Sequence, residues 1–126
     1  MKIKNKKIAK EILAMAAVDQ KMRKGFIAEK AKWNKKVDKI NTNRLKKIIQ
    51  KYGWPTISLV GKKASDGAWL LVQHADYNLK FQKHILKILE AIYAESKKEI
   101  NPQNIAYLTD RILVNRHESQ IFGTQY

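Results

Sequence analysis

The side chains best suited to acid–base work stand together in one short stretch, Gln73-His74-Ala75-Asp76. An imidazole takes and returns a proton near neutrality, since its unperturbed pKa is about 6.5, and a neighbouring carboxylate fixes which ring nitrogen is protonated. Two more carboxylates sit beside guanidinium groups: Asp19 lies four residues before Arg23, and Asp110 directly precedes Arg111. Such arginines suit a carboxylate or phosphate on a ligand. The amides of Gln20, Asn41, Gln73, Gln82, Gln120 and Gln125, with the Thr124 hydroxyl, offer both donors and acceptors. Trp54, next to Pro55, is placed to wall a pocket.

Each of these residues also has a plainer use. Asp19 and Arg23 form an i,i+4 ion pair on any helix, and His74 serves equally as a satisfied core histidine. Asp76 or Asn78 suits a helix N-cap, Asp110 with Arg111 a capping and packing device, and the three tryptophans a core. His84 is expected to face solvent. The His-Ala-Asp triplet supplies only two ligands at once, so no metal site is expected and no cofactor is implied. There is no Walker-type loop, dinucleotide fingerprint, nucleophile elbow or HExxH pair.

The elements that must position these groups read as helices. Ile8, Ile12, Met15 and Met22 mark one face of a helix over about residues 4–24, with Gly25 as its stop. Trp33, Val37, Ile40, Leu45 and Ile48 mark a second over about 27–51. A short link between them implies a long antiparallel hairpin. Gly53-Trp54-Pro55 then turns the chain, and residues 56–64 read as a loop plus half-turn, with a short strand at 57–60 as the alternative. A short apolar helix over about 65–75 is expected to be central, followed by one over about 78–96. Asn101-Pro102 reads as N-cap and first position of the last helix, and residues 117–126 form an aperiodic tail. The expected fold is all-α, a single compact domain of five or six helices spanning 1–126.

On these helices the polar residues fall on apolar stripes. Asp19 continues the Ile8, Ile12, Met15 series; Asp38, Asn41 and Arg44 border the second stripe; Gln73, His74, Gln82 and Asp110 do the same further on. A charge on a core-facing stripe is costly unless it is paired, so several such residues in a small domain require a network or a pocket.

Composition bounds the rest. The 126 residues are one domain's worth, 44% are hydrophobic, and the absence of cysteine removes disulfide scaffolds and thiol chemistry. The net charge of +15 lies wholly in residues 1–63, which hold 19 Lys and Arg against four acids; residues 64–126 hold seven of each. A one-signed field attracts polyanions, so nucleic acid is a possible partner of this half. The excess is mostly Lys, however, and only Arg23 and Arg44 offer the fork that phosphate recognition favours. No apolar run is long enough to span a bilayer, and the start reads as a mature helix, not a leader, so a cytoplasmic protein is expected.

Taken in order, DQKMR at 19–23, DKINTNRL at 38–45, GWP at 53–55, AWLLVQHAD at 68–76, FQ at 81–82, AYLTDR at 106–111 and QIFGTQ at 120–125 resemble an uncharacterised family of small bacterial proteins with GWP, QHAD, DR and YGTQ signatures. The resemblance spans about residues 12–126 and brings no established activity with it. It implies that Asp19, Gln20, Arg23, Asn41, Trp54, Pro55, Gln73, His74, Asp76, Gln82, Asp110, Arg111, Gln120, Thr124 and Gln125 match the family pattern. Phe122 stands where that pattern has Tyr, and the lysine-rich first half is peculiar to this member.

The sequence therefore points to a small pocket protein doing acid–base chemistry on a polar or anionic ligand. His74 would carry the proton, Asp19 or Asp76 would orient it, and Asp110 is a further acid. Arg23, Arg111 and the amides would bind the ligand, and the Gly123-Thr124-Gln125 tail would fold back as a lid or wall. The alternatives are a basic helical nucleic-acid module and a non-catalytic interaction protein whose polar clusters lock the fold.

Overall fold

The computed structural model describes residues 3–24 and 30–125, with side chains from 35 onward in the second stretch. Gly25, the expected helix stop, and the Trp33 side chain lie outside the described residues. Among the described residues six α-helices follow one another: α1 Lys6–Lys24, α2 Lys30–Tyr52, α3 Ile57–Val60, α4 Lys62–Gln73, α5 Leu79–Glu95 and α6 Pro102–Asn115. A 3-10 turn, Lys97–Glu99, joins the last two, and no strand occurs among the described residues. The chain is an all-helical single compact domain.

Local chemistry sets most of the boundaries. The Asn5 carboxamide accepts from the amide of Ile8 at 3.0 Å and closes the first turn of α1. Asn78, not Asp76, caps α5, accepting from the Phe81 amide at 3.1 Å. Asn101 accepts from the Gln103 amide at 3.0 Å, with Pro102 in the first turn of α6, where its missing N–H costs nothing. Gly53, at φ 77°, ends α2 in the left-handed region.

Residues 56–64 depart from the expected loop or strand. Thr56 caps α3 through the Leu59 amide at 3.4 Å, Gly61 turns the chain at φ 89°, and α4 starts at Lys62, before the expected Ser65. The one-turn α3 and an earlier start of α4 thus replace the loop. Ile40 is the other correction: it is 57% exposed instead of lying on the core stripe. The buried face of α2 runs through Val37, Asn41, Thr42, Leu45 and Ile48, which turns Ile40 outward.

α1 and α2 run antiparallel, since Arg23 meets Asp38 at one end and Arg44 meets Glu11 at the other. The apolar α4 is the hub and touches every other α-helix. Its Ala68, Leu71 and Val72 join Ile12, Leu45, Ile48, Ile85, Leu89 and Leu108 in one core. Gly67 lets α1 approach closely: a Cβ there would stand 3.3 Å from the Ala16 Cβ and 3.5 Å from the Ile12 Cγ2. Gly67→Val is therefore expected to cost about 1–3 kcal/mol by overpacking, read as a lower urea midpoint. An unchanged midpoint would show that α1 is free to shift. No described helix is long and apolar enough to cross a membrane.

Candidate functional site

The polar residues converge on the C-terminal end of α4. The helix stops at Gln73, with His74 as its C-cap, so successive side chains leave in different directions. Gln73 reaches the Tyr107 carbonyl of α6 at 3.4 Å, His74 reaches α1, and Asp76 reaches α5 and α6. The last carbonyls of a helix need donors from elsewhere. Fully buried Gln82 supplies them, its Nε2 donating to the carbonyls of Val72 at 3.1 Å and Gln73 at 3.3 Å.

On the α1 side, His74 Nδ1 lies 2.7 Å from Asp19 Oδ2. Asp19 is completely buried, whereas the His74 side chain is 18% exposed. The other Asp19 oxygen accepts from Arg23 Nε at 3.2 Å, and Arg23 also donates to Asp38. Because Asp19 already pairs with a guanidinium as an anion, the hydrogen in its contact with His74 belongs to the ring. In the neutral ring Nε2 is then the lone-pair nitrogen, and no hydrogen bond to a described residue engages it. Burial pushes the Asp38 carboxyl up, against the opposing pull of Arg23. One turn beyond Asp38, the buried Asn41 Nδ2 and Thr42 Oγ1 have no hydrogen-bond partner.

On the α6 side, the Arg111 guanidinium grips Asp76 with two donors, Nε at 2.8 Å and Nη2. Asn115 Nδ2 bridges Asp76 at 2.9 Å and Gln82 Oε1 at 3.1 Å. Partial burial pushes the Asp76 carboxyl up, but hydrogen bonds from Arg111, Asn115 and Gln82 outweigh it and hold it below the ordinary value. Arg111 Nη1 also donates to Gln125 Oε1 at 3.2 Å. Nearby, Gln73 Oε1 and, one turn earlier on α4, Trp69 Nε1 are buried without a partner.

Asp110 faces the tail. Its buried carboxylate accepts from the amides of Ile121, Phe122 and Thr124, each at 2.9 Å, and from the Thr124 hydroxyl at 2.8 Å. Burial raises its pKa, but the amides of Phe122, Thr124 and Ile121 and the Thr124 hydroxyl outweigh that and hold it at about 2. Gln120 closes the same loop, donating to the Gln125 carbonyl at 2.7 Å and accepting from the Gln125 amide at 2.8 Å. Gly123, at φ 69°, makes the turn between them.

The expected site residues thus fall into three linked groups. Asp19, Arg23 and His74 form one; Asp76, Arg111, Gln82, Gln73 and Gln125 a second; Asp110, Gln120 and Thr124 fasten the tail. Gln20 is half-buried beside Asp19, and Trp54 lies in the core at 5% exposure. Four described cavities of about 160–360 Å³ lie elsewhere, none lined by His74, Asp19 or Arg111. Among the described residues, no three His, Asp or Glu side chains converge as metal ligands. Asn115 escaped the sequence reading, although it stands four residues after Arg111 on the same helical face. Asp38 was legible as a polar neighbour of the core but not as the second partner of Arg23.

Comparison with curated proteins and with solved structures finds no match. A family model does match, over residues 6–126, and the chain belongs to that group, the family of unknown function DUF6624.

Proposed function

We propose that the protein binds a small polar molecule at the C-terminal end of α4 and moves a proton on it with His74. The observation that carries this reading is the 2.7 Å contact between a fully buried carboxylate and the ring of a partly exposed histidine. Asp19 orients the imidazole with Nε2 outward and offsets the positive charge when Nε2 takes a proton from the ligand. Arg23 holds Asp19 in place and is itself held by Asp38.

Both arginines of the cluster are already committed to carboxylates, so an anion would have to displace Asp38 or Asp76. That favours a neutral ligand rich in hydroxyl, amide or amine groups. The unpartnered amide of Asn41, the hydroxyl of Thr42 and the carbonyl of Gln73 are polar groups of the kind that such a ligand satisfies.

Native mass spectrometry of the purified chain tests the reading by looking for a retained small molecule. Once that molecule is identified, His74→Ala is expected to lower its turnover by about 10²–10⁴-fold while leaving the helical fold intact. A folded His74→Ala protein that turns the molecule over at the unaltered rate would refute the assignment.

A further inference from the structure

A second feature lies away from His74, in the groove between α2 and α5. Two cavities of about 310 and 340 Å³ share Lys46, Phe81 and His84 and so form one continuous depression. Its floor is apolar, built from Ile49 and the exposed edge of Phe81 over the fully buried Ile85. Lys46 and Gln50 stand one turn apart on α2, and Lys80 and His84 one turn apart on α5; Lys46, Lys80 and His84 together line the second cavity, and Gln50 lines the first. The Lys46 ammonium sits 5.2 Å from the centroid of the Phe81 ring, which keeps its charge over the groove. No carboxylate lines either cavity.

We infer that this groove binds a phosphate monoester with a flat or aliphatic body, the size of one mononucleotide, with its phosphate on Lys46, Lys80 and His84 and its body on the Ile49–Phe81 floor. Charge and shape both argue for that occupant. A phosphate monoester carries about two negative charges near neutrality and three acceptor oxygens, which matches several cationic or donor groups meeting at one place better than a single carboxylate does. The apolar floor adds what inorganic phosphate cannot use. The combined space suits one small ligand. This proposal is independent of the proton-transfer reading, since none of the residues involved belongs to the His74 cluster.

The test is an amide chemical-shift titration of the full chain at about 50 mM salt, where phosphate contacts are strong. The probes are adenosine 5′-monophosphate, adenosine, inorganic phosphate and a short oligothymidylate. Adenosine 5′-monophosphate is expected to shift amides around residues 46–50 and 80–85. Adenosine and inorganic phosphate alone are expected to bind at least about tenfold more weakly. Lys46→Gln with Lys80→Gln should weaken the nucleotide by about tenfold or more, while Lys62→Gln with Lys63→Gln, which removes the same charge from exposed positions elsewhere, should change it less than about twofold. Any of four results would overturn the inference: nucleotide shifts lying outside the groove, inorganic phosphate binding as tightly as the nucleotide, equal losses in the two double variants, or oligothymidylate occupying the groove while the mononucleotide does not.

Discussion

Asp110→Ala is expected to free the tail from α6 and to destabilise the protein by about 3 kcal/mol, a fall in Tm of roughly 10 °C. The Asp110 carboxylate is buried and receives four hydrogen bonds, three from backbone amides. Hydrogen bonds to a charged acceptor contribute more than neutral ones, and here they fix a loop that has no regular structure of its own. Asp110→Asn should fall short of rescue, because its amide turns a donor toward groups that are all donors.

The same site sets an acid limb. With a folded pKa of about 2 against an unfolded value near 3.9, the carboxylate stabilises the fold at every pH above about 4. That contribution, of order 2 kcal/mol, is lost as the pH falls from about 4 through 2. Urea titrations between pH 7 and pH 2 should show this loss in the unaltered protein and a correspondingly shallower one in Asp110→Ala. Equal slopes would mean that the tail is not fastened by this charge.

Asp19→Ala is the second large effect. The substitution leaves Arg23 half-paired and the His74 ring without its anchor, at a site where breaking a buried ion pair from one side costs about 3–5 kcal/mol. Asp19→Asn keeps the shape and separates stability from chemistry. Its amide can donate to Nδ1 and so favours the opposite tautomer, in which Nε2 carries the hydrogen and is no longer a base. On the ligand identified by mass spectrometry, Asp19→Asn and His74→Ala should each lower turnover by about 10²–10⁴-fold. The double variant should be little worse than either one, because the two residues act as a unit. Additive losses would place Asp19 outside the proton-transfer step.

Much of this arrangement was legible from spacing. Asn101-Pro102 marks the start of α6, the Ile8–Ile12 stripe marks the buried face of α1, and the i,i+4 relation alone pairs Asp19 with Arg23. What spacing leaves open is the partner across the fold. The sequence offered Asp19 or Asp76 to His74, and the end of α4 decides, because it sends His74 toward α1 and Asp76 toward α6. Residues 56–64 depart from their spacing for a related reason. The α3 turn depends on the Thr56 cap and on the sharp bend at Gly61, over which the Ile3 side chain packs, and neither produces a periodic pattern. Ile40 faces outward although its spacing fits the stripe, because Asn41 and Thr42 take the inward positions. Asp110 stood out as a carboxylate on an apolar stripe, but an aperiodic tail gives no sign that its amides will gather on one acid.

The tautomer of His74 tests the proton-transfer reading most directly. In ¹⁵N spectra of histidine-labelled protein, the neutral His74 ring is expected to show a protonated Nδ1 and a bare Nε2, and Asp19→Asn is expected to reverse the two. A bare Nδ1 in the unaltered protein, or a ring indifferent to the loss of the Asp19 charge, would contradict a histidine held by that carboxylate as an outward-facing base.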